Sequence, residues 1–191
     1  MKRKVKKFRI ITNENTPPTN FIDNPKIWIK DKNHLLESHM AYSMSKKNCV
    51  GLASNQVEYN GKRILERFFS VKNFENNTWQ SVINPNIKTF SGESFKTQEK
   101  CLTWPGKTLL AIRTPTVTVS YWDINGIFVE DRLINGFEAQ IWQHELDHLN
   151  GNKETVILDS KIKSSKQGRN ELCSCGSGKK YKKCCSNSQE I

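Results

Sequence analysis

The segment Gln143-His144-Glu145-Leu146-Asp147-His148 constrains this chain more than any other. Asn135-Gly136 before it and Gly151 after it read as the opening and the stop of a helix running to about Asn150. On such a helix, positions four apart share a face, so His144 and His148 can grip one metal ion. Glu145, next to the first of them, can reach a water on that ion, take its proton and later hand it to a leaving group. Phe137 and Ile141 precede the histidines on the same stripe and are candidates to floor a pocket for an apolar substrate side chain. The pattern does not name an enzyme, because many zinc hydrolases share it and a third ligand must come from elsewhere. Two residues qualify: Glu154, six positions after His148, and Cys101 in Glu99-Lys100-Cys101-Leu102-Thr103. Glu99 and Arg113 could form a pair that holds Cys101 in place.

A second cluster lies near the end. Four of the six cysteines, Cys173, Cys175, Cys184 and Cys185, fall within residues 173–185. Four thiolates suffice for a closed tetrahedral zinc site, and Gly176 and Gly178 permit the turn between the pairs. Basic residues Lys2 to Lys7 are not followed by the apolar stretch of about 7–15 residues that a secretion signal needs. Metal binding is therefore expected rather than disulfides, and a cytoplasmic location with it. A tail this short cannot build a core, so zinc would supply its folding energy.

The net charge of +11 is carried by the ends. Residues 1–9 hold six basic residues and no acid, and residues 161–191 hold eight basic and two acidic, leaving a middle close to neutral. Basic ends suit a polyanionic partner such as RNA or the ribosome. Residues 161–168 read as a linker, which sets residues 1–160 apart as a catalytic domain and 169–191 as a small appendage.

Between the ends the pattern is mixed. Residues 13–31, with Pro17, Pro18 and Pro25, read as loop, and residues 33–47 as a helix capped by Asn33 with Met40 and Met44 in the core. Asn48 would end that helix. Strands are expected at 62–71 and 79–84, and at 116–121, where Val117, Val119 and Tyr121 alternate with polar residues. Asn125-Gly126 marks a tight turn into a returning strand, Ile127 to Ile134. Helix, several strands and a late helix give an α+β fold.

Three blocks in order resemble the peptide deformylase family: Val50-Gly51-Leu52-Ala53-Ser54-Asn55-Gln56, its GxGLAAxQ loop; Glu99 to Thr103, its EGCLS block; and Gln143 to His148, its QHExDH block. Ile83-Asn84-Pro85 also resembles the family's INP. The resemblance spans about residues 35–160 and implies a deformylase-like α+β fold, antiparallel strands around a central metal-binding helix. It implies hydrolysis of the formyl group from N-formyl-methionyl peptides, with release of formate. By resemblance, Cys101, His144 and His148 bind the metal, Fe²⁺ or alternatively Zn²⁺ or Ni²⁺, and Glu145 is general base and acid. Gln56 and the backbone N–H of Leu102 stabilise the oxyanion. Val50 and Gly51 pair with the peptide, which Gly51 lets approach closely. Cys49, Ser54, Lys100, Thr103 and Gln140 depart from the pattern, Gln140 standing at a helix position often apolar in the family. The tail resembles the SEC-C motif, which implies Zn²⁺ on Cys173, Cys175, Cys184 and Cys185 and a basic knob able to contact the ribosome or a nascent-chain factor. Two other readings remain: a zinc endopeptidase using His144, His148 and Glu154, and a non-catalytic relative of deformylase that binds peptide without turnover.

Overall fold

A computed structural model describes residues 7–152, 156–158, 168–172 and 179–183. The first strand, β1 (Phe8–Ile10), leads through an extended segment to helix α1 (Pro25–Met44). Then follow β2 (Gly51–Ala53), a 3₁₀ turn (Ser54–Gln56), β3 (Val57–Tyr59), β4 (Lys62–Arg63), β5 (Phe68–Asn73), β6 (Thr78–Ser91), β7 (Phe95–Glu99), β8 (Thr108–Arg113), β9 (Thr116–Trp122) and β10 (Phe128–Asn135). Helix α2 (Gly136–Asn150) and a short β11 (Val156–Leu158) close the body.

The strands form three sheets in the orders β1-β3-β4, β10-β9-β6-β5-β2 and β11-β8-β7, every strand pair antiparallel. Most of α2 is buried. Its Ala139, Trp142, Leu146 and Leu149 pack with Phe69, Val119 and Tyr121 of the five-stranded sheet and with Val50 just before β2. A second core under α1 gathers Ile29, Leu36, Leu52, Phe68 and Ile83. The α+β expectation holds. Among the described residues no helix is long and apolar enough to cross a membrane.

Helix α1 starts earlier than the sequence reading placed it. Asn24, not Asn33, is the cap, its side chain accepting from the Ile27 N–H, and Pro25 occupies the first turn, where its missing donor costs nothing. Asn33 lies inside the helix and bonds Glu37. The buried stripe is Ile29, Leu36, His39 and Ser43, whereas Met44 is 57% exposed and Met40 only half-buried. A polar pair, His39 Nδ1 and Ser70 Oγ at 2.8 Å, takes the core position that periodicity gave to methionine. The helix ends at Met44, and Asn48 with φ of 62° turns the chain into the next strand.

The expected strand 62–71 is broken into β4 and β5, and 79–84 extends to Ser91 through Pro85. Proline lacks the donor a ladder needs, and the register shifts there, between Ile83 and Asn86. The β9–β10 hairpin and α2 fall as expected. Gly151 ends α2 in the left-handed conformation, and a Cβ there would lie 2.8 Å from Pro18 N.

Candidate metal centre

Helix α2 and the loop after β7 build the centre together. Cys101 Sγ lies 3.2 Å from His148 Nε2, which lies 3.2 Å from His144 Nε2. The donor atoms of the three residues all fall within 4.8 Å of one another. A soft sulfur and two imidazole nitrogens so placed fit one ion at about 2.0–2.3 Å from each. Glu154, the other candidate third ligand, lies outside the described residues.

Each imidazole is oriented from behind. Glu99 Oε2 lies 2.8 Å from His144 Nδ1, which leaves Nε2 toward the cluster. Arg113 grips Glu99 with two bonds of 2.9 Å and reaches Asp147 at 2.6 Å. Glu99 and Arg113 are thus a pair as expected, but the residue they orient directly is His144, not Cys101. The alternation of β7 explains this. Thr97 and Glu99 share the face toward α2, and Cys101 comes after the strand has ended. His148 is fixed by Thr16, whose hydroxyl lies 3.4 Å from Nδ1 and donates to the His148 carbonyl at 3.0 Å. Asn55 donates to the same carbonyl. Asp147, Thr16 and Asn55 escaped the sequence reading; the Asp147 position inside the helix motif was the one available signal.

The charges follow from these contacts. Burial pushes the Glu99 carboxyl up, but the His144 and Arg113 hydrogen bonds and charges outweigh it and hold its pKa at about 2. Burial also disfavours the Cys101 thiolate, yet the two histidines beside it bring the thiol well below its ordinary value. Glu145 differs: burial dominates, the histidine charges oppose it, and its pKa rises to about 7. Both carboxylate oxygens of Glu145 are buried without a hydrogen-bond partner.

The block Cys49–Gln56 faces this carboxylate. A Cβ on Gly51 would lie 2.4 Å from Glu145 Oε1 and 2.8 Å from Ile141 Cγ2, so glycine there lets Glu145 lie against the β2 backbone. Strand β2 is the last in its sheet. Gly51 opposes Val71, and Lys72 N donates to Val50 O, the pattern of a non-hydrogen-bonded pair. The Gly51 N–H and C=O therefore point to the unpaired edge. Val50 itself is fully buried. Gln56 Nε2 lies 3.4 Å from Cys101 Sγ and donates to Thr103 Oγ1 at 3.0 Å, while its Oε1 accepts from the Ala53 N–H. Leu102 is half-buried beside Cys101, and Phe137 packs edge-on against Phe74.

The unusual residues are accommodated. The Cys49 thiol is buried, pushed up to about 12 by burial and then by Glu145, and donates to the Gly51 carbonyl at 3.2 Å. Ser54 bonds the Glu66 carbonyl, and Lys100 reaches Thr108 at the surface. A cavity of about 600 Å³, lined by Arg67, Lys96, Ile112 and Arg113 among others, lies toward Asp147. None of Cys101, His144 and His148 lines it.

The sequence matches the model of the polypeptide deformylase family over residues 15–167. The chain belongs to that family. A SEC-C motif matches residues 169–187. The peptide deformylase of Thermotoga maritima is 32% identical over 151 residues, 79% of this chain and 80% of that one. Peptide deformylase 1 of Clostridium perfringens is 38% identical over 124 residues, 64% of this chain and 79% of that one. Among solved structures, the deformylase of the Vibrio parahaemolyticus bacteriophage VP16T, in complex with actinonin, superposes with a TM-score of 0.63 at 26% identity, covering 75% of this chain and 98% of that one. The T. maritima enzyme superposes with a TM-score of 0.57 at 28% identity, covering 76% and 92%.

Proposed function

We infer that the chain removes the formyl group from the N-terminal formyl-methionine of nascent peptides. Family membership carries the reaction class, a metal-dependent hydrolysis. The observation that ties it to this chain is the Cys101, His144 and His148 cluster beside the unpartnered carboxylate of Glu145. An Acinetobacter baumannii deformylase 26% identical to the chain was solved with Met-Ala-Ser bound, a peptide with methionine first.

Cys101, His144 and His148 would hold the catalytic metal, and Fe²⁺ is the ion we favour for a thiolate with two imidazoles, with Zn²⁺ or Ni²⁺ fitting the same donors. When bound, the metal supplies the Lewis acidity that makes water a nucleophile near neutral pH. Glu145, whose carboxyl is pushed up to about 7 by burial, takes the proton of the attacking water and returns it to the departing amine. The formyl C–N bond breaks, a C–O bond forms, and formate and a free N-terminus leave. Gln56 Nε2 and the Leu102 backbone N–H stabilise negative charge on the formyl oxygen. The outward N–H and C=O of Gly51 pair with the peptide as an added strand, with Val50 behind them, and Phe137 and Ile141 floor the pocket for the first side chain. The endopeptidase reading would give Cys101 no purpose, yet Cys101 is drawn into the cluster.

The tail is the second part of the proposal. Cys173, Cys175, Cys184 and Cys185 lie outside the described residues. The chain segments beside them meet: Leu172 pairs with Lys180, and Lys182 N donates to Arg169 O. That approach supports a four-thiolate Zn²⁺ site, with Lys179, Lys180, Lys182 and Lys183 as a basic knob for ribosomal RNA or a nascent-chain factor. A cytoplasmic location goes with such substrates.

Formate release from a formyl-Met tripeptide tests the reaction, using protein prepared without oxygen and loaded with Fe²⁺ or Ni²⁺. Wild type is expected to release formate and Glu145→Ala to release none. Peptide binding without turnover by metal-loaded wild type would instead establish the non-catalytic reading. For the tail, deletion of residues 169–191 should abolish co-sedimentation with ribosomes.

A further inference from the structure

One buried polar group beside the centre has no use in the reaction as derived. Gln140 is 2% exposed on α2. Its Oε1 accepts from the Thr97 hydroxyl at 3.3 Å, while Nε2 is buried with no acceptor. A buried donor left unpaired destabilises the free protein, and such an orphan calls for an explanation.

Its place in the fold supplies one. On β7, Thr97 and Glu99 face α2; Thr97 meets Gln140, and Glu99 meets His144 one helical turn further on. The neighbouring residue Ile141 packs against Gly51 at the open edge of β2. Gln140 and Ile141 therefore span the floor between β7 and β2, one turn from the metal ligands. On the deformylase reading, a peptide paired to the β2 edge with its formyl group at the cluster would direct its first side chain toward that floor. The Ile141 side is apolar. The Gln140 side is polar, braced by Thr97.

Resting on the deformylase reading, we propose that Gln140 is a specificity-determining residue. Its Nε2–H is donated to an acceptor at the outer end of the substrate's first side chain. A thioether sulfur is a weak acceptor and a sulfoxide oxygen a strong one, whereas a hydrocarbon of equal length offers nothing. The pocket therefore ranks formyl-methionine sulfoxide and formyl-methionine above formyl-norleucine.

Comparing kcat/KM for formyl-Met-Ala-Ser, formyl-norleucyl-Ala-Ser and formyl-(methionine sulfoxide)-Ala-Ser tests this in wild type and Gln140→Leu. Wild type is expected to favour the sulfoxide over norleucine by about tenfold, the size of one neutral hydrogen bond. Gln140→Leu should reverse that order, with the change carried mainly by KM. Equal ratios in the two proteins would overturn the proposal. Gln140→Met, also unbranched and without a donor, gives the same readout if the leucine variant does not fold. Absence of formate from every peptide would instead overturn the reaction itself, so the two failures are distinguishable.

Discussion

Glu99 Oε2 stands 2.8 Å from His144 Nδ1, and its carboxylate is held there by Nε and Nη2 of Arg113. The carboxylate fixes which imidazole nitrogen faces the cluster. Glu99→Gln keeps the shape but weakens the pull on the His144 proton and leaves the buried Arg113 with Asp147 as its remaining carboxylate. We expect metal affinity to fall by about 10–100-fold, as for other partners of metal-bound histidines. Chelator competition measures it. Arg113→Ala should weaken binding in the same direction, and unchanged metal content and activity in that variant would refute the bracing role.

Gly51→Ala places a Cβ within clashing distance of Glu145 Oε1 and Ile141 Cγ2. Glu145 must move, because both obstacles belong to the buried face of α2. Overpacking of this kind costs about 1–3 kcal/mol of stability. The larger effect is expected on kcat, with a loss of at least about 100-fold, since displaced acid–base groups forfeit about that much or more. Metal content should stay near stoichiometric. A variant with normal kcat would show that Glu145 is not used from this position.

These two relationships show what the sequence could and could not disclose. Ligand spacing on α2 was legible because two histidines four apart on an amphipathic helix meet by geometry alone. The hairpin at Gly126 and the cap at Gly151 were legible for the same local reason. The contact of Gly51 with Glu145 was not, since it joins residues 94 apart in the chain across two elements. The start of α1 was misread because Pro25 looks like loop punctuation unless Asn24 is recognised as a cap. Met44 was misread because periodicity cannot see that His39, hydrogen-bonded to Ser70, fills the core instead.

Cys101→Ser separates the two ligand sets open at the sequence level. A serine hydroxyl is a far poorer ligand for Fe²⁺ or Zn²⁺ than a thiolate. Loss of metal from the catalytic site, read by elemental analysis on protein lacking residues 169–191, is expected together with loss of formate release. Retention of one tightly held metal would place the third ligand elsewhere, with Glu154 the residue to mutate next.

His39 makes stability depend on pH away from the metal centre. It is buried among Phe8, Phe68 and Ser70, and burial holds its pKa at about 3 against an ordinary value of 6.5. The folded protein keeps it neutral, while the unfolded chain takes up a proton below about pH 6.5. The contribution is therefore intact above 6.5 and is lost progressively as pH falls toward 3. At pH 5 the loss is about 2 kcal/mol, from 1.36 kcal/mol for each pH unit below 6.5. His39→Gln cannot titrate. Urea unfolding at pH 7.5 and pH 5.0 should show wild type losing about 2 kcal/mol more than the variant between the two, whatever the other groups contribute to both. Equal losses would mean that the imidazole charges without cost, and that the Ser70 contact, rather than burial, decides its protonation.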